Sequence, residues 1–80
     1  MYAINVRKIA LSRGRKTLSI YMNANQDEVI PYSFNELVAV IESTDCKRVI
    51  VKGDRTSYVG KLVNRLRENI NDKYIYFRKI

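Results

Sequence analysis

The sequence has no histidine, one cysteine, one proline and three glycines among its 80 residues. The lack of histidine removes the commonest general acid–base group, and a single cysteine leaves neither a disulfide framework nor the usual zinc ligands. The carboxylates are scattered, whereas catalytic sites need convergent groups with tuned pKa values. We therefore expect no catalytic residues, no metal and no cofactor, and hence no enzyme.

Long apolar runs are also missing, since no stretch approaches the roughly 18 residues of a membrane helix. Residues 1–8 lack the charged and then apolar regions of a signal peptide. We accordingly expect no membrane-spanning segment and a cytoplasmic location.

Apolar residues make up 46% and charged residues 29% of the chain, which is typical of a folded globular protein. A chain of this length has room for one core, so we expect residues 1–80 to form a single domain.

The charge is strongly unbalanced, because 15 Lys and Arg residues oppose 8 Asp and Glu residues and give a net charge of +7. Residues 1–20 are basic, residues 21–46 contain acids and no cation, and residues 47–80 are basic again. One interpretation is attraction between the acidic middle and its flanks. The other is a basic face that binds a polyanion.

Alternating apolar residues predict half-buried strands over residues 2–7 and 17–22. The turn between them, residues 12–15, contains Gly14, which is free to take a positive φ. These features predict an antiparallel hairpin with a basic tip, followed by a polar loop over residues 23–31.

Two helices are predicted by caps and apolar stripes. Ser33 and Glu36 have the spacing of a capping box, and the helix that they begin is expected to end near Ser43. Gly60 lies early in the second helix, where glycine often permits close packing. The second helix is predicted to begin at a cap formed by Thr56 or Ser57 and to bury Val59, Leu62, Val63, Leu66 and Ile70.

Residues 48–52 are β-branched and continuous, which indicates a central strand, and residues 73–78 form a final strand. The predicted order is ββαβαβ. We expect an α+β two-layer sandwich in which a four-stranded mixed sheet carries both helices on one face. Its second face can then stay open to solvent or to a partner.

Cations at the predicted hairpin and in the C-terminal half suit a phosphate backbone. Solubility and edge protection explain a basic tip equally well, and the polar side of the second helix is also consistent with simple solvation. The candidate nucleic-acid-binding residues are Arg7, Lys8, Arg13, Arg15, Lys16, Arg55, Lys61 and Arg65.

Tyr74, Tyr76 and Arg78 are predicted on one side of the last strand. Aromatic rings beside cations stack on the bases of single-stranded nucleic acid. The same side chains anchor protein interfaces, or they simply cover the second face of the sheet.

The C-terminal half resembles the periplasmic domain of ExbD/TolR proteins. In that family a strand leads into an Ala/Gly-Asp-Lys/Arg turn, a tyrosine, and a helix with paired apolar residues. The matching residues here are 47–56, Tyr58, Lys61-Leu62-Val63 and Leu66. The resemblance covers about half of the chain and implies the same fold. The sequence departs from the family in having Asn69–Asp72 where Ala-Gly is usual, and it has no membrane helix with a carboxylate.

We thus expect a non-enzymatic module that binds an anionic partner, foremost nucleic acid. The alternatives are a protein-interaction module or homodimer that uses the last strand, and a soluble relative of the ExbD/TolR domain.

Overall fold

The computed structural model describes residues 3–22, 29–53 and 57–79. Within these ranges the chain forms strands and helices in the order β1 (Ile4–Val6), β2 (Lys8–Ser12), β3 (Thr17–Tyr21), β4 (Ile30–Tyr32), α1 (Phe34–Ser43), β5 (Arg48–Gly53), α2 (Ser57–Asn69) and β6 (Tyr74–Lys79).

The main sheet has the strand order β2-β3-β5-β6. β2 and β3 are antiparallel, whereas β3 is parallel to β5 and β5 is parallel to β6. The predicted α+β fold with a four-stranded mixed sheet and two helices is therefore confirmed. β5, which has more buried residues than any other strand of this sheet, lies inside it, and β6 lies at its edge.

The predicted pairing of the first strand is wrong. β1 pairs with β4 in a separate two-stranded sheet, which places Ile4 opposite Tyr32 and Val6 opposite Ile30. The chain bends at Arg7, and the partner of β3 in the hairpin is β2. The end of the predicted loop is itself a strand that contains Pro31, which a two-stranded sheet tolerates because each strand has a free edge.

The turn of the hairpin also differs from the prediction. Lys16 takes a positive φ of 50°, and Gly14 does not. In this conformation the Lys16 carbonyl oxygen accepts hydrogen bonds from the backbone N–H groups of Lys47 and Arg48, at 2.8 and 3.3 Å. The turn therefore connects the hairpin to the start of β5.

The capping box of α1 is present. The Ser33 hydroxyl accepts a hydrogen bond from the Glu36 backbone N–H at 3.1 Å, and the Ser33 N–H donates to Glu36 Oε1 at 2.8 Å. The hydrogen bond from the Ser33 backbone N–H favours the charged carboxylate most, the Ser33 side chain adds to this effect, and together they hold the pKa of Glu36 below its ordinary value. The helix ends at Ser43, as predicted.

The predicted apolar stripe of α2 is buried, including Ile70 just beyond the helix. The prediction for Gly60 is wrong, because a Cβ there meets no described atom within 4 Å. Thr56 and the side chain of Ser57, the predicted caps, lie outside the described residues, as do Tyr2 and residues 23–28.

The core joins both helices to one face of the main sheet. Its largest fully buried side chains are Ile20, Leu37, Ile41, Leu66, Val6, Val49 and Val51. Neither described helix is long and apolar enough to cross a membrane. In the described part of the chain, no helix covers the other face of the sheet.

Candidate nucleic-acid interface

The face of the main sheet opposite the helices is formed by alternate residues of its strands. We call it the open face. It comprises Lys8, Ala10 and Ser12 of β2, Thr17, Ser19 and Tyr21 of β3, Arg48, Ile50 and Lys52 of β5, and Tyr74, Tyr76 and Arg78 of β6.

The open face carries cations, tyrosines and small polar residues, and its strands place no carboxylate on it. Most of its side chains are exposed or half-buried; the exceptions are Ile50 and Thr17, which retain 7% and 8% of their exposure. Such a surface has a positive potential that attracts an anionic ligand.

Strand register places four of these residues side by side across the sheet. Lys8 is opposite Tyr21, Tyr21 is opposite Lys52, and Lys52 is opposite Arg78. We call this set the basic row. Because neighbouring strands are about 4.8 Å apart, the row spans roughly 14 Å.

Tyr21 lies between two lysines of the basic row. The Nζ atoms of Lys8 and Lys52 are each 4.9 Å from the centroid of its ring, within cation–π range. Lys52 Nζ also donates a hydrogen bond to the Tyr21 hydroxyl at 3.3 Å. This hydrogen bond, followed by the charge of Lys52, lowers the pKa of the Tyr21 phenol below its ordinary value. The contacts order the lysine side chains on the sheet surface.

A second row lies two residues away along the strands and consists of Ala10, Ser19, Ile50 and Tyr76. Its first two members are small and half-buried, and Ile50 is almost fully covered by its neighbours. Tyr76 ends the row at β6 and is half-buried. Tyr74, on the same strand, is 75% exposed. The predicted placement of Tyr74, Tyr76 and Arg78 on one side of the last strand agrees with the structure.

The hairpin tip continues from the end of the open face where Arg48 and Tyr74 lie. Arg13 and Arg15 are exposed there. Lys16 forms an ion pair with Asp45 at 3.7 Å, the one ion pair between residues that the structure describes. Mutual neutralisation of the acidic middle and its basic flanks therefore leaves most of the described cations unpaired.

The remaining predicted cations are not brought together with this surface. Lys61 and Arg65 are exposed on α2, on the opposite side of the sheet. The Arg65 guanidinium lies 4.0 Å from the centroid of the Phe34 ring and links the two helices. Arg55 lies outside the described residues. Arg7 is exposed at the bend before β2, where its backbone N–H donates to the Tyr21 carbonyl oxygen.

Two further cations stabilise the fold itself. Arg67 Nε donates to the Ile75 carbonyl oxygen at 2.7 Å. Lys73 Nζ donates to the carbonyl oxygens of Thr44 and Cys46 at 3.2 and 2.7 Å. Cys46 is buried, and residues 3–22, 29–53 and 57–79 contain no cluster of cysteine and carboxylate side chains that suits a metal ion.

Comparison of the chain with protein-family models, curated proteins and solved structures found no match. The interpretation of the site therefore rests on its own chemistry. Tyr21, Arg48 and Lys52 were not among the residues predicted for binding. The signal that points to them is the two-residue period of a strand, which places them on the side opposite Leu18, Ile20, Val49 and Val51.

Proposed function

We propose that the protein binds single-stranded nucleic acid on the open face. The observation that carries the proposal is the register that sets Lys8, Lys52 and Arg78 around Tyr21 and next to Tyr76, on a face where the described strands place no carboxylate. The cations match the phosphate backbone, and the aromatic rings match bases that are free to stack.

The shape of the surface favours a single strand over a duplex. The open face is a sheet roughly 14 Å wide with tyrosines on it, and the bases of a duplex are already stacked on one another. A duplex offers no free base face for the tyrosines, so we expect its phosphates to contact the exposed tip residues Arg13 and Arg15 instead. Comparing the two forms of one sequence therefore separates the open face from the tip.

The test is a fluorescence-anisotropy titration of a labelled ten-nucleotide single strand and its duplex at two salt concentrations. If the four cations of the open face each neutralise one phosphate, the single strand has a log–log salt slope of about −2.8. Its affinity then falls roughly 50-fold between about 50 and 200 mM salt. Weak binding with no salt dependence, or binding of the duplex alone, contradicts the proposal.

Two variants on opposite sides of the sheet locate the binding surface. Lys8→Ala with Arg78→Ala removes two cations from the open face and is expected to reduce the salt slope by about 1.4. Lys61→Ala removes an exposed cation from α2, on the other side of the sheet, and is expected to leave the single-strand affinity almost unchanged. Equal effects of the two changes contradict the placement of the site. Arg13→Ala with Arg15→Ala measures the contribution of the tip in the same assay.

A protein partner or a homodimer is the main competing outcome, because β6 is an edge strand and Tyr74 is 75% exposed. A molecular mass that doubles with concentration in light scattering, together with no oligonucleotide binding, supports that function instead. The resemblance to the ExbD/TolR domain stays a prediction, and a membrane component as binding partner is its expected consequence.

A further inference from the structure

We infer that the open face holds one nucleotide as its basic unit, with the phosphate between Lys52 and Arg78 and the base against Tyr76. This inference rests on the proposed function and assigns separate parts of the ligand to separate side chains. It also sets the direction of the bound strand, which runs across the β-strands along the basic row.

The phosphate position follows from the register of β5 and β6. Lys52 is directly opposite Arg78, so the two cations project from neighbouring strands about 4.8 Å apart. Arg78 is exposed and has no ion-pair partner among the residues that the structure describes. The ammonium group of Lys52 donates to Tyr21, which fixes its position and leaves further N–H groups for an anion. A guanidinium and an ordered ammonium side by side suit a phosphodiester.

The base position follows from Tyr76, which belongs to the row beside the basic row. Tyr76 is two residues before Arg78, so it lies on the same face about 6.6 Å along β6. Its cross-strand neighbour Ile50 is buried, whereas Tyr76 is only half-buried, so part of the tyrosine side chain is accessible to a ligand. A base that lies on this accessible part stacks on Tyr76 while a single sugar connects it to the phosphate.

The direction of the strand follows from the position of the other cation. Lys8 lies at the far end of the basic row, beyond Tyr21, on β2. A strand that runs from Arg78 toward Lys8 therefore places its second phosphate near another cation. A strand that runs along β6 instead passes from Arg78 to Tyr76 and Tyr74, where the next cation is Arg48 on the neighbouring strand.

The experiment compares a ten-nucleotide single strand with an abasic oligomer of the same length and the same phosphates. Tyr76→Leu keeps an apolar side chain beside Ile50 and removes the ring. Base–aromatic stacking contributes about 1–3 kcal/mol per base. This change is therefore expected to lower the affinity for the base-bearing strand by roughly 5- to 150-fold. The abasic oligomer, which has nothing to stack, is expected to bind both proteins equally.

Arg78→Met removes a phosphate contact and keeps an unbranched side chain, so it is expected to lower the affinity for both oligomers by the same factor. Tyr58→Leu is the control, because Tyr58 is a 48% exposed tyrosine on α2. It is expected to change neither affinity. Circular dichroism of each variant verifies that it is folded.

The outcomes separate this inference from the proposed function. In one outcome the wild-type protein binds the base-bearing strand, but Tyr76→Leu lowers the affinity for both oligomers equally or for neither. The division into phosphate and base positions is then wrong, and the proposed function stands. If the wild-type protein binds neither oligomer, the proposed function fails and this inference fails with it.

Discussion

Replacing Gly53 with alanine is expected to destabilise the protein strongly. A Cβ at this position would lie 2.7 Å from the carbonyl oxygen of Met22 and 3.4 Å from its Cβ. Real Cβ atoms essentially never approach an oxygen that closely, and a backbone oxygen cannot rotate away as a flexible side chain can. The glycine is therefore required by the close approach of the end of β3 to the end of β5.

The magnitude follows from what must give way. The Met22 N–H donates to the Lys52 carbonyl oxygen at 2.7 Å, so separating the strands stretches this hydrogen bond. Overpacking costs about 1–3 kcal/mol and a lost hydrogen bond about 1 kcal/mol. The total of roughly 2–4 kcal/mol corresponds to a Tm lower by about 10–30 °C in a domain of this size. Because Tyr21 and Lys52 lie beside this point, the same change is expected to disturb the basic row.

Thermal unfolding followed by circular dichroism measures the effect, with Gly60→Ala as the matched control. Gly60 is exposed in α2, and its replacement by alanine is expected to raise the stability by about 0.5–1 kcal/mol through helix propensity. Hydrogen exchange of the Met22 amide reports the strand separation directly. A Gly53→Ala protein that melts with the wild type, and keeps this amide protected, would refute the reasoning.

Substitutions at four other residues test the cap of α1, the core and the site. Ser33→Ala is expected to lower the unfolding free energy in urea by about 1 kcal/mol, whereas Ser33→Asp retains the cap. The pKa of Glu36 is lowered in the folded protein, so its contribution is complete above the ordinary value of 4.5 and is lost as the pH falls through the lowered pKa. Glu36→Gln should abolish that part of the pH dependence, and an identical acid profile would contradict it. Leu66→Ala removes a fully buried side chain and is expected to lower the unfolding free energy by about 2–5 kcal/mol in the same urea assay. A loss under 1 kcal/mol would show that the surrounding side chains fill the cavity. In a phenol absorbance titration, Lys52→Met should return the pKa of Tyr21 toward 10.0, and no change on substitution would show that the hydrogen bond has no effect.

Local sequence signals predicted most of the elements correctly. Each of these signals lies within one short segment of the chain. Examples are the capping box of Ser33 and Glu36, the apolar stripe of α2 and the alternation of β6. Such signals act on neighbouring residues, so they are visible without knowledge of the rest of the fold.

The pairing of β1 was not predictable in this way. Its alternation is real, but periodicity identifies a strand without identifying its partner. The segment opposite β1 contains Pro31, which favours a loop. At the bend the apolar positions change phase, from Ile4 and Val6 to Ile9, but no glycine or proline marks this change as the end of a strand. The hairpin was consequently assigned to the wrong strand.

The candidate site was predicted only where it depends on alternation within a single strand. Alternation within the last strand placed Tyr74, Tyr76 and Arg78 on one side, and the structure agrees. The basic row, however, depends on the relative register of four strands. That register is set by the packed core and by backbone hydrogen bonds between distant parts of the chain. One of these is donated by the Met22 N–H to the Lys52 carbonyl oxygen.

The position of β5 between β3 and β6 has a consequence for aggregation. Whenever β6 is detached, one side of β5 exposes unpaired backbone N–H and C=O groups. Another chain can then pair with this parallel edge. Detachment of the last strand is therefore the step at which aggregation competes with the folded state.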